Sequence, residues 1–158
     1  MRTSLSVCAG LLLFGFVGYA GAIDVSVSSD RWAYGLDDSI EIVVTAYNPG
    51  KEAVWLGFDS NIQSSYWIDD VYDWEEGRKR LWVATGFTLE PQESHRWEFT
   101  HYIGKGSEYP LTVGRHYLKG EVLGYGISAP VEIEVVPEPA GLAVLGMGAF
   151  LVRRRRSS

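Results

Sequence analysis

Short runs of alternating apolar and polar residues, separated by turn residues, fill the middle of the chain. The segment SIEIVVTAY shows the pattern most clearly, because Ile40, Ile42, Val44 and Ala46 fall on one side of an extended strand and the intervening residues on the other. The tripeptide NPG at 48–50 follows, and its proline and glycine favour a turn. We therefore expect a strand with one buried face that ends at this turn.

Seven further segments have strand character: IDVSVS, AVWLGF, YWIDDVYDW, RKRLWVATGF, HRWEFTHY, RHYLKGEVLG and PVEIEVV. Turn residues recur between them at intervals of roughly 8 to 12 residues, which is typical of all-β sandwiches and barrels. The tripeptide EEG, which ends at Gly77, predicts a hairpin that joins YWIDDVYDW to RKRLWVATGF, with a positive φ at the glycine. The pattern predicts an all-β fold, an antiparallel β-sandwich of about seven to nine strands formed by residues 23–136.

The first 22 residues have the organisation of a cleaved signal peptide with a short apolar helix. MRTSLS is a basic region, VCAGLLLFGFVGYA is an apolar region of signal length, and Ala20 and Ala22 give the small-x-small pattern of a signal peptidase site. We expect cleavage after Ala22, with Ala20 as the second candidate. An uncleaved anchor and a buried first helix are the alternatives, while a lipoprotein signal is disfavoured because Cys8 precedes the apolar run. Since Cys8 is the only cysteine, the mature protein is expected to have no disulfide.

The predicted domain at 23–136 is strongly acidic. It contains nine Lys or Arg against 19 Asp or Glu, a formal charge of −10, whereas the whole chain has −6 because five of its 14 basic residues lie in the terminal segments. An acidic surface repels nucleic acid and anionic polymers. We therefore expect no nucleic-acid partner.

An apolar segment of 13 residues, 140–152, lies between two prolines and a block of arginines near the C-terminus. As a helix it would be about 20 Å long, shorter than the roughly 30 Å hydrocarbon core of a bilayer. We expect a short transmembrane helix that inserts transiently rather than a permanent anchor. By the positive-inside rule, the arginines act as a cytoplasmic stop signal and leave the domain outside. These residues are Arg153, Arg154, Arg155 and Arg156.

The order of features at 137–158, namely Pro137, Glu138 and Pro139, then the apolar segment and the arginines, resembles the PEP-CTERM sorting signal. The resemblance implies recognition by an inner-membrane exosortase, processing near the Pro-Glu-Pro motif, and a Gram-negative bacterium that makes exopolysaccharide or biofilm matrix. It implies a final location at the cell surface or in the extracellular matrix, reached after signal peptidase and the export machinery have acted. A simple tail anchor and an unstructured end are the alternatives, while a surface amphipathic helix is disfavoured because the segment has no polar face.

Four segments of the domain resemble the BsuPI type of domain, named for an intracellular proteinase inhibitor of Bacillus. They are AYNPGKEAVWLGF, YWIDDVYDWEEGRKRLWVATGF, TLEPQESHRWEF and VGRHYLKGEVLG, and they cover roughly residues 25–125. The resemblance implies an immunoglobulin-like β-sandwich that binds a protease and is not an enzyme. Two departures from the family pattern are Gln92, where the turn usually has glycine, and the longer step from Gly114 to Tyr117.

Acidic residues concentrate between positions 59 and 76, and carboxylate oxygens are ligands that Ca²⁺ prefers. Their spacing does not match an EF-hand loop, so we expect a solvated hairpin whose carboxylates pair with the basic residues 78–80, with Ca²⁺ binding as the alternative. His95, His101 and His116 are the only histidines and lack a short metal-binding spacing. We expect them at the edge of the core, with a zinc or catalytic role as the alternative, and we predict no metal site and no cofactor.

The segment YWIDDVYDW supplies a candidate contact patch, because alternation prevents neighbouring aromatic residues from facing one core. Exposed aromatic side chains beside acids suit a protein or sugar contact, so we predict contacts at Tyr66, Trp67, Tyr72 and Trp74. Most of the six tryptophans are nevertheless expected in the core. The sequence predicts an exported, non-catalytic binding or structural module with a protease or matrix polysaccharide as partner. The alternative is a secreted proteinase inhibitor, and an envelope hydrolase is a minor one because no catalytic motif is present.

Overall fold

The computed structural model describes residues 23–137, and this part of the chain is all β. Its strands in chain order are β1 (Asp24–Ser29), β2 (Ala33–Tyr34), β3 (Ser39–Tyr47), β4 (Val54–Phe58), β5 (Ser64–Ile68), β6 (Tyr72–Asp73), β7 (Thr85–Leu89), β8 (Ser94–Tyr102), β9 (Gly114–Val122), β10 (Gly126–Ile127) and β11 (Val131–Val135). Eight of these strands have five or more residues, which agrees with the predicted number, and three have only two. Across 23–137 no helix has the length and apolar character needed to cross a membrane. The predicted signal peptide and the tail from Glu138 onward lie outside the described residues.

Two main sheets form a β-sandwich. One sheet has the strand order β1-β3-β8, and the other has the order β2-β11-β9-β5-β6 with β10 paired to β9. Strands β4 and β7 form a separate antiparallel pair. All pairings are antiparallel except that of β2 with β11. The predicted antiparallel sandwich is therefore confirmed for the described residues.

The core lies between the facing sheets, with β1 and β3 packed across β9. The alternation predicted for β3 is confirmed, because Ile40, Ile42, Val44 and Ala46 are all fully buried. Leu118 on β9 belongs to the same buried cluster on the opposite sheet. Each of the isoleucine, valine and leucine side chains among them stabilises the fold by about 1.5 to 3 kcal/mol through burial.

Gly120 on β9 permits close packing of the two sheets. A Cβ at this position would lie 2.8 Å from Cγ2 of Val44 and 3.1 Å from Cβ of Val27, which both belong to the opposite sheet. Because these distances are shorter than van der Waals contact, a side chain at position 120 would force the sheets apart. A glycine inside a strand thus marks a close approach of backbone to neighbouring side chains.

The hairpin predicted at 75–77 is wrong. Strand β5 instead turns at Asp69 and Asp70, whose φ angles are 55° and 57°, and returns as β6. Aspartate tolerates this left-handed conformation, and the turn places Asp69 Oδ1 within 2.8 Å of the backbone N–H of Tyr117. Gly77 does have a positive φ, as predicted, with a value of 79°. Residues 78–84 after it nevertheless form an irregular loop, and β7 begins only at Thr85.

The expectation that most tryptophans lie in the core is also wrong. Trp32, Trp55 and Trp82 are exposed over 68%, 63% and 74% of their surface, and the remaining three are only half-buried. The buried positions between the sheets are filled mainly by aliphatic residues and by Tyr34 and Tyr66. Tryptophan is highly buried on average and is enriched in binding sites, so Trp32, Trp55 and Trp82 mark candidate contact surfaces.

Candidate functional site

The four residues of the predicted contact patch do not form one exposed surface. Tyr66 is buried, with 1% of its surface exposed, so its assignment to an exposed patch is wrong. The physical reason is the alternation of β5, which turns Tyr66 toward the opposite sheet and Trp67 away from it. Tyr72 and Trp74 pack against the core, with Trp74 4.8 Å from the ring of Phe99. Trp67 is half-buried on the other face, where its Nε1 donates to Glu121.

Tyr66 and His101 instead form a buried polar contact within an aromatic cluster. The Tyr66 hydroxyl lies 3.0 Å from His101 Nδ1, and His101 Nε2 lies 3.0 Å from the carbonyl oxygen of Tyr109. A neutral imidazole satisfies both contacts when Nε2–H donates to the carbonyl and Nδ1 accepts from the hydroxyl. Burial lowers the pKa of His101 and raises the pKa of Tyr66. The pair therefore stabilises this end of the sandwich as uncharged groups.

His116 lies between two acceptors. Its Nδ1 is 2.6 Å from Asp69 Oδ2, and its Nε2 is 2.8 Å from the carbonyl oxygen of Thr112. An Asp–His pair is also part of a Ser-His-Asp triad, but there the second ring nitrogen faces a nucleophilic hydroxyl. Here a backbone carbonyl occupies that position, so His116 serves to connect β9 to the turn after β5.

The acidic residues between 59 and 76 are paired in a way that differs from the prediction. Asp69 pairs with His116, and Asp70 accepts from Lys119 at 2.6 Å, so both reach β9 rather than the basic residues 78–80. Only Glu75 pairs as predicted, with Arg80. Within residues 23–137, no group of three or more His, Cys, Asp or Glu side chains is arranged to hold a metal ion.

Trp55 on β4 forms a flat aromatic platform on the outer surface. Alternation along β4 turns Leu56 toward the interior and Trp55 outward. Gly57 and Gly86 are directly opposite each other on β4 and β7, and the indole lies across this pair. A Cβ at Gly86 would lie 2.5 Å from Cζ2 of Trp55, and one at Gly57 would lie 3.0 Å from its Nε1. The two glycines therefore provide the space in which the indole lies, with most of its surface exposed to solvent.

A groove of about 790 Å³ runs beside the indole. Phe58 and Tyr125 are in edge-to-face contact, with ring centroids 5.6 Å apart. The Tyr125 hydroxyl accepts from the Gly57 N–H at 2.6 Å and lies 3.2 Å from the Gly57 carbonyl oxygen, so the aromatic residues are fixed to β4. Both rings line the groove together with Trp55. The polar side chains that line it are Asp59, Arg80 and Thr85.

The loop 78–84 forms one wall of the groove and is attached to the sandwich at its middle. The Leu81 N–H donates to Asn61 Oδ1 at 2.6 Å, and the Asn61 N–H donates to the Leu81 carbonyl oxygen at 3.1 Å. Arg80 is paired with Glu75, which has little exposed surface. Beyond this attachment, Leu81, Trp82 and Val83 expose large apolar side chains to solvent. The loop thus presents an apolar segment next to the groove.

This surface was not among the predicted contact sites. Its signal was a glycine inside each of two apolar strands, Gly57 in AVWLGF and Gly86 in the segment TGF. An isolated glycine in a strand indicates a bulge or a close approach of another group, which here is the indole of Trp55. Gly57 and Gly86 lie 29 positions apart in the chain (86 − 57), and no local pattern specifies the register in which β4 and β7 pair.

No family model matches the sequence, and no curated protein matches it. Among solved structures, the chain is similar to an alkylpurine DNA glycosylase from Pseudomonas fluorescens, with 17% identity and a TM-score of 0.48, over 73% of this chain and 31% of that one. It is also similar to a β-glucosidase from Erythrobacter marinus, with 16% identity and a TM-score of 0.44, over 73% of this chain and 16% of that one. The chain therefore spans less than a third of the length of each enzyme.

A CARDB domain from Pyrococcus furiosus, solved in complex with di-metal ions, is similar over its whole length. The similarity covers 84% of this chain and 100% of that one, with 15% identity and a TM-score of 0.43. These similarities assign neither a family nor an activity to this chain.

Proposed function

We propose that this chain is an exported, non-catalytic binding module with an immunoglobulin-like sandwich, and that its ligand lies in the Trp55 groove. The observation that carries this proposal is the exposed indole of Trp55, held flat on Gly57 and Gly86. A large aromatic ring exposed to solvent contributes nothing to the core, whereas a rigid ring loses little entropy when a ligand packs against it. Aromatic anchors of this kind supply much of the energy of binding sites.

The arrangement of two of the three histidines, His101 and His116, supports a non-catalytic role. The ring nitrogens of His101 and His116 all face partners that fix the fold, namely Tyr66, Asp69 and two backbone carbonyls. A general base needs a ring nitrogen that can reach a substrate proton or a nucleophile. Both histidines are also buried, away from the groove.

The terminal segments are the basis for the proposed location of the protein. We propose that signal peptidase removes residues 1–22, that an inner-membrane exosortase recognises the PEP-CTERM tail, and that the domain then reaches the cell surface or matrix. The last hydrogen bond of the domain joins the Val136 N–H to the Tyr34 carbonyl oxygen at 2.8 Å, and Pro137 after it is exposed. The exposed Pro137 suits recognition of the motif by an enzyme, since proline cannot donate to a sheet.

Deletion of residues 140–156 tests the proposed location. We expect the deleted form in the periplasm or culture medium, and the complete form at the cell surface. Mass spectrometry of the surface form is expected to find a C-terminus near Pro139. An intact tail on the surface form would contradict the processing step. An unchanged location of the deleted form would contradict the proposed sorting by the tail.

Substitution of Trp55 tests the binding role. The protein is purified from cells that express the full chain and is added to matrix-producing cells that lack this protein. The amount of protein that these cells retain is measured. We expect Trp55→Ala to reduce retention about tenfold, because it removes the aromatic anchor. Trp32→Ala is the matched control, since Trp32 has nearly the same exposed fraction but lies outside the groove. Equal retention of the Trp55 variant and the unchanged protein would contradict the proposal.

A proteinase inhibitor is the second candidate function, in agreement with the BsuPI resemblance. The observation that favours it is the exposed segment Leu81-Trp82-Val83, which is attached at its base to Asn61. A constrained, exposed apolar segment can enter the cleft of a protease at a low entropic cost. The test is inhibition of a subtilisin-type protease: nanomolar inhibition that Trp82→Ala abolishes and Trp55→Ala preserves would establish this function, and no inhibition would exclude it.

A further inference from the structure

The chemistry of the Trp55 groove specifies a class of ligand. Its side chains combine a flat indole with a carboxylate, a guanidinium and a hydroxyl, supplied by Trp55, Asp59, Arg80 and Thr85. This combination offers an apolar plane and both donors and acceptors of hydrogen bonds around it. A ligand that matches it needs a flat C–H face and hydroxyl groups at its rim.

A pyranose ring has these features. The C–H bonds on one face of the ring carry small positive charges, and the face of an indole is negative, so the two faces attract each other. The sugar hydroxyls can donate to Asp59 and accept from Arg80. The Thr85 hydroxyl donates to the Ser60 carbonyl oxygen and accepts from Gln63 Nε2, each at 3.0 Å, and keeps one lone pair for a sugar hydroxyl. Arg80 keeps donors for this purpose, because a guanidinium has five N–H groups and Glu75 accepts from only two of its nitrogens.

The volume and position of the groove favour a chain over a single sugar. At about 790 Å³ the groove is in the upper part of the range of ligand sites, roughly 300 to 1,000 Å³. It lies on the surface beside β4, and its walls come from the loop 78–84 and the turn at Tyr125. An open site of this kind can accept an internal segment of a polymer without enclosing its ends.

The charge of the domain disfavours a polyanion as the ligand. Residues 23–137 carry nine Lys or Arg against 19 Asp or Glu. Of these, one acid, Asp59, and one base, Arg80, line the groove. Such a field repels uronic-acid or sulfated polymers and a negatively charged membrane. We infer that the Trp55 groove binds an uncharged polysaccharide, an inference that depends on the proposed binding role of the same site.

The neighbouring segment Leu81-Trp82-Val83 has a different character. It is apolar at three successive positions, and its exposed surface suits a protein better than a sugar chain. The polar groups that a polysaccharide needs lie in the groove and not on this segment. The two surfaces are therefore separable by mutation at Trp55 and Trp82.

Affinity electrophoresis tests the inference. The protein purified from cells expressing the full chain is run through gels that contain laminarin, galactomannan, hydroxyethyl cellulose or dextran, with alginate as the anionic comparison. We expect at least one of the four uncharged polymers to retard it. Trp55→Ala is expected to weaken that affinity about tenfold or more, Trp55→Phe to preserve most of it, and Trp32→Ala to leave it unchanged. Thermal melting of each variant checks that the exposed substitutions leave the fold intact.

Retardation by none of the uncharged polymers, by alginate alone, or to the same degree in Trp55→Ala would overturn the inference. The proposed function has a separate criterion, which is retention on producing cells. If Trp55→Ala loses retention on cells while no uncharged polymer binds, the ligand class is wrong and the binding role stands. If Trp55→Ala changes neither retention nor retardation, both proposals are wrong.

Discussion

The indole of Trp55 occupies the space that a side chain at Gly86 would need, with Cζ2 only 2.5 Å from the position of a Cβ there. The contact joins β4 and β7, two paired strands that lie far apart in the sequence. An exposed aromatic ring on a glycine pair is thus a property of the tertiary structure. It orients the ring before any ligand arrives, which reduces the entropic cost of binding.

Gly86→Ala is expected to damage both stability and binding. The new Cβ would meet the indole and also the Leu56 carbonyl oxygen at 2.6 Å, so either the ring or the backbone must move. We expect a loss of about 1 to 3 kcal/mol in the free energy of unfolding, measured by urea denaturation, together with weaker retention on cells. Thr88→Ala is the control, because Thr88 lies opposite Trp55 on the same exposed face. A Gly86→Ala variant as stable as the unchanged protein would contradict the described position of the indole.

Gln92 occupies a turn position that favours glycine. Its φ is 63°, while its side chain contacts the Tyr47 hydroxyl and donates to the Pro49 carbonyl oxygen at 2.8 Å. Gln92→Ala keeps the unfavourable φ and loses these hydrogen bonds, so we expect about 1 kcal/mol of destabilisation. Gln92→Gly loses the same bonds but relieves roughly 1 to 2 kcal/mol of backbone strain. The glycine variant should therefore melt at a higher temperature than the alanine variant, and the reverse order would contradict this account.

His101 is expected to make stability dependent on pH. Burial lowers the pKa of His101 in the folded protein below the value of about 6.5 in the unfolded chain. Above that value both states hold a neutral ring, and below it the unfolded state binds more protons. The free energy of unfolding should therefore fall as the pH decreases below about 6.5, by at most about 1.4 kcal/mol per pH unit from this group.

Urea denaturation between about pH 8 and pH 5.5 measures this effect, since model carboxyl groups titrate mostly below that range. His101→Gln should flatten the dependence on pH even though it lowers stability at every pH. His95→Gln, on the same face of β8, is the matched control for replacing a histidine of this strand by glutamine. An equal slope in the His101 variant and the unchanged protein would show that His101 is not responsible.

Much of the fold could be predicted from the sequence where a strand had one polar and one apolar face. Strand β3 is the clearest example, because its alternation identified four buried residues correctly. The hairpin after β5 could not be predicted in this way, because the turn depends on Asp69, whose side chain contacts His116 and Tyr117 on a distant strand. Propensity favours glycine for such turns, and tertiary contacts to an aspartate outweighed it.

The candidate site was hidden for a related reason. The segment YWIDDVYDW was predicted to supply a contact patch because it is dense in aromatic residues, yet Tyr66 in it is part of the core. Trp55 is a single aromatic residue in a short apolar strand, and only the pairing of Gly57 with Gly86 makes it a platform. Side-chain exposure depends on which strands pair, and local sequence does not contain that information.

The most direct test of the Trp55 groove as a ligand site is the indole N–H region of the NMR spectrum. The sequence has six tryptophans, and the signals of Trp55 and Trp32 are assigned from their alanine variants. Soluble polysaccharide extracted from the matrix of producing cells is then added to the protein purified from cells expressing the full chain. We predict that the Trp55 signal shifts or broadens while the Trp32 signal stays in place. An unchanged Trp55 signal would contradict the account.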